Sequence, residues 1–465
     1  MSFFIGIDLG TSAVKMILIN ESGEILKTVS KEYPLFFPKP NWSEQNPEDW
    51  WKAVCEGLEQ LTDGLNKADI KGIGVGGQMH GLVMLDESGS VIRPAILWND
   101  TRTGKQTDYL NNVIGKERLQ QLTGNIAFAG FTAPKILWVK ANEPEAFKRC
   151  RKICLPKDYI NYKLTGVFAT DVSDASGTLY FDVKNRKWSE EMLGIIGIDA
   201  DVLPKVFESY EVIGKTEFFG LDCPVIAGAG DNAAAAVGTN TLSDGLCNIS
   251  LGTSGTVFVP TDNFVFTKNP ALHSFCHANG KYHLMGCILS AASCNKWLNE
   301  TVFEANYNIG GDDLGAPQTE LYFLPYLSGE RCPHNDPYVK GAFIGLTHAT
   351  KREDMQRAVF EGISFAIKDC ISLCPNDVKT ATVCGGGTKS KALMQILSDI
   401  LNIELSVIDN EGPAFGGALL AAGIKKTPLI KYTVSPDMAL NEIYEKKYQK
   451  YKTLYPALKD FYKED

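Results

Sequence analysis

Two α/β layered domains, each opening on a glycine hairpin, are what the sequence predicts. Three observations carry that reading. Short apolar runs of strand length alternate with glycine turns and with longer segments of helical apolar period. The stretch Asp8-Leu9-Gly10-Thr11-Ser12 returns half a chain later as Ser250-Leu251-Gly252-Thr253-Ser254, each copy between two strand-like runs. And 465 residues exceed what one hydrophobic core usually serves, at about 150 residues per domain.

In chain order, residues 3–7, 14–19 and 24–30 read as three short strands joined by tight turns. A helix follows, with Asn46 as N-cap, Pro47 in the first position and Glu48 and Asp49 in the first turn. Its apolar face is read as Trp51, Val54, Leu58, Leu61 and Leu65. Residues 70–76 and 82–85 return to strand character. In the second half, 248–251 and 256–259 read as strands and 290–305 as a helix. Then come a long helix (352–374), a strand (380–384), a helix (390–401), a strand (404–408), a small-residue helix (414–422) and a charged surface helix after Pro436. No low-complexity linker separates the halves. The boundary is placed at 240–245, dividing the chain into 1–242 and 243–465.

Composition excludes several classes. The chain is 44% hydrophobic and 22% charged, ordinary for a globular protein and unlike a disordered, collagenous or membrane chain. Lys plus Arg number 46 against 55 Asp plus Glu, a net charge of -9. That balance gives no electrostatic reason to expect a nucleic acid or an anionic membrane as partner. The apolar start MSFFIGIDLG lacks a basic n-region and is interrupted by Asp8, so it reads as structure and not as a secretion signal. No apolar run reaches about 18 residues, so no membrane span is expected. The 12 cysteines are then expected to be reduced and mostly buried, in a cytoplasmic protein. His273, Cys276, His277 and His283 resemble metal ligands in type, but their spacing fits no zinc pattern, and a strand and turn under the core is the reading preferred.

Four segments carry chemistry. In the first hairpin, Gly10 lets successive N–H groups face one concavity, a nest for phosphate oxygens. Thr11 and Ser12 add hydroxyls, and Lys15 lies just beyond. Asp8 ends a buried strand, where a carboxylate is costly without a partner and Mg²⁺ would be a suitable one. Gly252 and Thr253 form the second copy, giving two phosphate clamps. Next, 224–238 runs from a strand through a glycine turn into an alanine-rich helix that Asp231 opens. A helix N-terminus keeps a carboxylate ionised, as a base that takes a proton from a hydroxyl must be. Third, Gln78, Met79 and His80 lie in a glycine-flanked loop, and Trp98-Asn99-Asp100 offers a flat apolar face beside two polar groups. Together these suit a polyol. Fourth, Gly385-Gly386-Gly387-Thr388-Lys389-Ser390 joins a strand to a helix, with Gly386, Gly387 and Ser390 available to a nucleotide.

These segments, in this order, resemble the FGGY family of carbohydrate kinases over nearly the whole chain. Residues 341–361 look like its C-terminal signature and 130–139 like its N-terminal one, with Ala141 as a departure on the helix surface. The resemblance implies two ribonuclease-H-like domains of the actin, hexokinase and Hsp70 type with a cleft between them. Sugar and base would lie in the first domain and nucleotide in the second. Residues 41–45, 77–81, 96–100, 155–158, 230–232, 273–277 and 327–331 are most similar to members that act on D-xylulose. That implies ATP-dependent phosphorylation of D-xylulose to D-xylulose 5-phosphate with Mg²⁺. Met79 and His80 fall on sugar-contact positions, Asp231 on the base, and Asp8 on the metal-linked aspartate. Ala13, where a glycine is common, is a mild departure. Another ketopentose or a pentitol is the near alternative. An actin- or chaperone-like ATPase is the distant one, though it would need neither the 78–80 loop nor a base at Asp231. The partners expected are a sugar and ATP, with a homodimer left open. Sugar and nucleotide on different domains imply closure about a hinge at 240–245.

Overall fold

The computed structural model describes residues 1–305, 314, 320–409 and 411–462. The first half builds on the strands β1 (Phe3–Leu9), β2 (Ala13–Asn20) and β3 (Ile25–Glu32), followed by α1 (Pro47–Thr62) and β4 (Ile70–Gly77). Later come α2 (Pro156–Thr165), β5 (Val212–Thr216), β6 (Cys223–Ile226), the two-residue β7 (Ala229–Gly230) and α3 (Asp231–Gly238). They make one seven-stranded sheet in the order β5-β6-β4-β1-β2-β3, with β7 also on β4. The hairpin β1–β2 is antiparallel, pairing Asp8 with Lys15, whereas β4 runs parallel to β1.

Helix α1 starts where the sequence places it, Asn46 accepting the Glu48 N–H at 3.3 Å. Its core face is Trp50, Val54, Leu58 and Leu61. Trp50 replaces Trp51 in that face because its indole N–H finds the Gln45 Oε1 at 3.1 Å, and a buried indole needs such an acceptor. Leu65 lies beyond the end of α1, which stops at Thr62.

The second half repeats the plan. Its strands are β8 (Leu246–Leu251), β9 (Gly255–Thr261), β10 (His273–Cys276) and β11 (Tyr282–Ile288), then α4 (Arg352–Ser372), β12 (Thr380–Cys384), α5 (Lys391–Leu401), β13 (Glu404–Ile408), α6 (Pro413–Ala422), β14 (Ile430–Val434) and α7 (Met438–Tyr451). The sheet runs β10-β11-β9-β8-β12-β13-β14. Both Gly-Thr-Ser copies are thus turns of antiparallel hairpins, β1–β2 and β8–β9. The histidine-rich segment is strand and turn, as preferred, and among the described residues no group of three or more His, Cys, Asp or Glu could hold a metal ion. The helix read at 290–305 is shorter. It is helical over Ala292–Trp297 and widens into a π-turn over Leu298–Val302. There Asn299 turns its amide onto the Asn295 carbonyl at 2.9 Å, competing with the backbone ladder.

The halves interlock at two places. Helix α6 comes from the second half but lies on the first sheet and on α3. Ala414, Phe415, Ala418 and Leu419 pack with Ile17, Ile19, Ala229, Ala233, Ala234 and Val237. Backbones nearly touch there: a Cβ on Gly416 would stand 1.7 Å from the Ala234 carbonyl oxygen, and one on Gly6 1.7 Å from that of Ala414. On the other side, edge strand β10 docks on the first half. Ser274 exchanges bonds of 3.0 and 2.9 Å with the Asn125 amide, and the Cys276 N–H donates to Ser176 Oγ at 3.0 Å. Between these two contacts lies the cleft. Among the described residues no helix is long and apolar enough to cross a membrane.

Overpacking a dense contact costs about 1–3 kcal/mol. Gly416→Ala is therefore expected to lower the free energy of unfolding by that order, seen as a lower denaturant midpoint. Gly194→Ala, in a helix where an added Cβ meets nothing within 4 Å, should be neutral or stabilising by about 0.4–1 kcal/mol. Equal midpoints for both variants would remove the close approach of α6 as a constraint.

Candidate active site

The cleft narrows to a cavity of about 210 Å³, below the roughly 300–1,000 Å³ of drug-sized pockets. Met79, His80, Trp98, Phe128, Phe131, Asp231 and Asn232 line it from the first half; Ser254, Thr256, His273, Cys287 and Arg331 line it from the second. The sugar segments foreseen at 79–80 and 98 thus share one cavity with Asp231. That cavity is closed by the other half, so it is not confined to residues 1–242.

His80 sits at the end of the loop after β4 with φ +68°, a left-handed conformation that costs a non-glycine residue of order 1–3 kcal/mol. The surroundings hold it there. Its carbonyl accepts the Thr132 hydroxyl at 3.1 Å and a bond from the buried Lys135 Nζ at 2.8 Å. Its ring stacks on Phe131 at 4.6 Å. The ring Nδ1 lies 2.8 Å from the Gly177 carbonyl oxygen, an acceptor that fixes the Nδ1–H tautomer. A side chain at position 177 would strike the ring at 2.4 Å. Burial pushes the His80 pKa down to about 3, so the ring is neutral. The remaining nitrogen, Nε2, is a hydrogen-bond acceptor, suited to a sugar hydroxyl.

Asp231 is the first residue of α3, where the macrodipole favours a carboxylate. Its Oδ1 accepts the Asn232 N–H at 2.7 Å and the Asn232 amide at 3.0 Å. Burial nevertheless raises its pKa to about 6, against the stabilising Asn232 N–H. Asp8 responds to it. Burial first, then the charge of Asp231, raise Asp8 to about 7, and Lys15 opposes them. Among the described residues the Asp8 carboxylate accepts no hydrogen bond. A half-buried carboxylate so placed suits a divalent cation, and Mg²⁺ is commonly held by one or two carboxylates plus substrate phosphates and not by a protein cage.

The first hairpin is braced from below. The Gly10 carbonyl takes the Tyr33 hydroxyl and the Gln78 amide at 3.4 Å. The Thr11 carbonyl takes the Gln45 amide at 2.7 Å. The Thr11 hydroxyl bonds Gln78 Oε1 at 3.3 Å and accepts the Trp98 indole N–H at 3.0 Å. Gln78, read from sequence as a sugar contact, does not line the cavity; it ties the hairpin to Gln45. Asn99 is exposed and outside the lining as well. Trp98 does line it and joins the cavity to the first hairpin. With carbonyls occupied, no acceptor among the described residues is bonded to the Thr11 and Ser12 amides, the donors a phosphate nest requires. Lys15 reaches across to the Glu411 carbonyl at 2.9 Å.

The second hairpin is built alike. The Thr253 carbonyl takes the Ala291 N–H at 2.9 Å and the Ser293 hydroxyl at 2.7 Å, and that of Gly252 takes the Ala292 N–H at 3.0 Å. Gly387 packs on Leu251, placing the 385–390 turn beside this hairpin, and the space above Gly386 is open to 4 Å. Ser390 turns inward: its hydroxyl caps α5 by accepting the Leu393 N–H at 3.2 Å. Arg331, His273, Phe128 and Phe131 were not foreseen as site residues. The guanidinium of Arg331 stacks over Phe128 at 5.4 Å, and among the described residues no carboxylate pairs with it within 4.0 Å. Its sequence offered one sign, a polar Leu-Ser-Gly-Glu-Arg turn, with nothing to say which cavity it faces.

Comparison with known proteins adds to this geometry. The family model described as the FGGY family of carbohydrate kinases, N-terminal domain, matches residues 3–238. The corresponding C-terminal domain matches residues 247–423. The chain is 39% identical to a xylulose kinase of Escherichia coli (strain K12), over 98% of this chain and 97% of that one. Among solved structures it is similar to a xyloylose kinase from Brucella ovis, with TM-score 0.94, 38% identity, and 99% and 100% of the two chains covered. It is also similar to a gluconate kinase from Lactobacillus acidophilus, with TM-score 0.94, 27% identity, and 99% of each chain covered. One fold thus serves different acceptors, so the acceptor is decided by the cavity. Two matched domains across nearly the full length, joined to paired hairpins and an acidic group in a sugar-sized cavity, establish that the chain belongs to the FGGY family of carbohydrate kinases.

Proposed function

We propose that the protein transfers the γ-phosphoryl group of ATP to the C5 hydroxyl of D-xylulose, releasing D-xylulose 5-phosphate and ADP. The observation that carries the reading is the joining of Asp231, His80, Met79 and Trp98 in one small cavity beside the braced first hairpin. The similarity to xylulose kinases over nearly the full chain supports D-xylulose as the acceptor.

The chemistry follows from the groups present. Phosphoryl transfer requires mainly positioning and charge neutralisation, because its transition state is loose. Asp231 accepts the proton of the C5 hydroxyl while that oxygen bonds the γ-phosphorus and the bond to the β-phosphate oxygen breaks. Its pKa near 6 keeps it mostly ionised at neutral pH, yet more basic than an exposed aspartate. His80 accepts a sugar hydroxyl through Nε2, and Met79 and Trp98 provide apolar walls. Arg331, on the cavity wall contributed by the second half, is a donor for a sugar hydroxyl. Amides at Thr11 and Ser12, and at Thr253, clamp the phosphates, with Gly10 and Gly252 closing the two turns through their own N–H groups and the nucleoside along 386–390. Asp8 would hold Mg²⁺, which would supply positive charge against the phosphates. The 1–242 part carries the base and most sugar contacts, and the 243–465 part carries the nucleotide. Hinge closure at 240–245 brings donor and acceptor together. Twelve free cysteines accord with a reducing cytoplasm.

A coupled ADP-release assay over a panel of pentuloses, pentitols and gluconate tests the acceptor. D-Xylulose should give the highest kcat/KM; a higher value for a pentitol or for gluconate contradicts the reading. Asp231→Asn should lower kcat by about 10²–10⁴ and leave ATP binding nearly unchanged. A variant with wild-type turnover removes Asp231 as base. The pH dependence has a definite sign. The base works only when ionised, so kcat/KM should be flat above about 6 and fall about tenfold per pH unit below it. An acid limb near the ordinary aspartate value, with no bend near 6, would assign the proton to another group.

A further inference from the structure

Beneath the base lies a buried ionic cluster that the reaction as described does not use. Lys157 opens α2 and is fully buried. Its Nζ is 2.8 Å from Asp158 Oδ1, 3.1 Å from Asp171 Oδ1 and 4.0 Å from Asp174 Oδ2. None of these side chains is more than 1% exposed. The three carboxylates outweigh the cost of burial and raise the Lys157 pKa, so the ammonium stays charged. Such a cluster is seldom there for stability, since apolar residues of similar volume often serve as well or better. Its geometry shows what it holds.

The branches through Lys157 and Asp171 end on the strip 227–230 that leads into Asp231. Lys157 donates its third bond to the Ala227 carbonyl at 3.1 Å, and Asn161 donates to the same oxygen at 2.8 Å. Asp171 Oδ2 accepts the Ser173 N–H at 2.8 Å, the Ser173 hydroxyl at 2.5 Å and the Ser209 hydroxyl at 2.7 Å. The Ser173 hydroxyl in turn accepts the Gly230 N–H at 3.1 Å, one residue before the base. The Ser209 carbonyl accepts the Gly228 N–H at 2.9 Å. Strand β7 is short and pairs only through Ala229 and Gly230 with Gly76 and Gly77. Backbone bonds from the Ala227 and Gly228 N–H groups to the Glu211 and Ser209 carbonyls add to these two pairs, and side chains take the Ala227 carbonyl and the Gly230 N–H.

We propose that Lys157 and Asp171, acting through Ser173, are positioning residues for Asp231: they anchor the backbone of 227–230 so that the carboxylate meets the acceptor hydroxyl in reactive alignment. The inference rests on Asp231 being the base. A displacement of about 1 Å at a reacting group can cost on the order of 10²-fold in rate, so one lost anchor should show in turnover before it shows in folding.

A double-mutant cycle in the full-length enzyme tests it, using D-xylulose and ATP with steady-state kinetics and thermal melting. Ser173→Ala removes one hydroxyl and leaves the ion cluster intact. It should lower kcat about 10- to 100-fold, with KM for ATP within about twofold and little change in melting temperature. In the Asp231→Asn background the same change should cost less than about twofold, because there is no base left to align. A similar loss of kcat in both backgrounds overturns the positioning role, as does wild-type kcat in Ser173→Ala. Should Ser173→Ala not fold, Ser209→Ala severs another anchor of Asp171 and is read by the same cycle. The two ideas fail separately: if Asp231→Asn alone keeps wild-type turnover, the base assignment is wrong, whatever Ser173 does.

Discussion

Helix α6 is carried by the second half of the chain and seated at backbone distance on the first sheet. Glycine and alanine on both surfaces permit this: Gly6, Gly74 and Gly416 each face a carbonyl oxygen that leaves no room for a Cβ. The remainder of the site depends on that contact. It ties the second half of the chain to the sheet that carries the hairpin β1–β2. It also backs α3, whose first residue is Asp231. Strand β10 docks across the cleft at Asn125 and Ser176 and completes the enclosure. A cavity shared by both halves follows from these two seams.

Enclosure then determines the electrostatics. Removal from water pushes His80 toward neutrality and raises Asp8 and Asp231 above the ordinary carboxylate range. One cause yields both an uncharged hydrogen-bond acceptor at His80 and a carboxylate with affinity for a proton at Asp231. The same burial brings Asp8 and Asp231 into mutual repulsion, a condition that a cation with its phosphates would relieve. Folding thus stores unfavourable terms in the cleft, offset by the apolar packing of three large clusters around it.

The sequence makes local design legible and partnerships much less so. The hairpin repeat, the capped start of α1 and the strand-glycine-aspartate-helix around Asp231 are short-range patterns, and all appear where the residues place them. Gln78 and Trp98 mark the limit. Gln78 sits in a glycine-flanked loop and Trp98 beside two polar residues, yet Gln78 braces the first hairpin, whereas Trp98 spans hairpin and cavity. Periodicity reports that a residue is buried, not which neighbour it meets. Ser390 looks like a nucleotide contact because a serine after glycines suits either a ligand or a helix cap, and the fold uses it as a cap. Arg331, His273 and the Lys157 cluster escape for the same reason, since their partners lie far away in sequence.

The central claim is that this cleft aligns an acceptor hydroxyl with Asp231 and with the phosphates between two facing hairpins. The most direct test is a crystal structure with D-xylulose and a non-hydrolysable ATP analogue bound together. The account predicts the C5 hydroxyl within about 2.6–3.2 Å of an Asp231 carboxylate oxygen, the sugar against His80 and Trp98, and the phosphates on the amides of Thr11, Ser12 and Thr253. A sugar bound with C5 away from Asp231, or phosphates that touch only one hairpin, would contradict it.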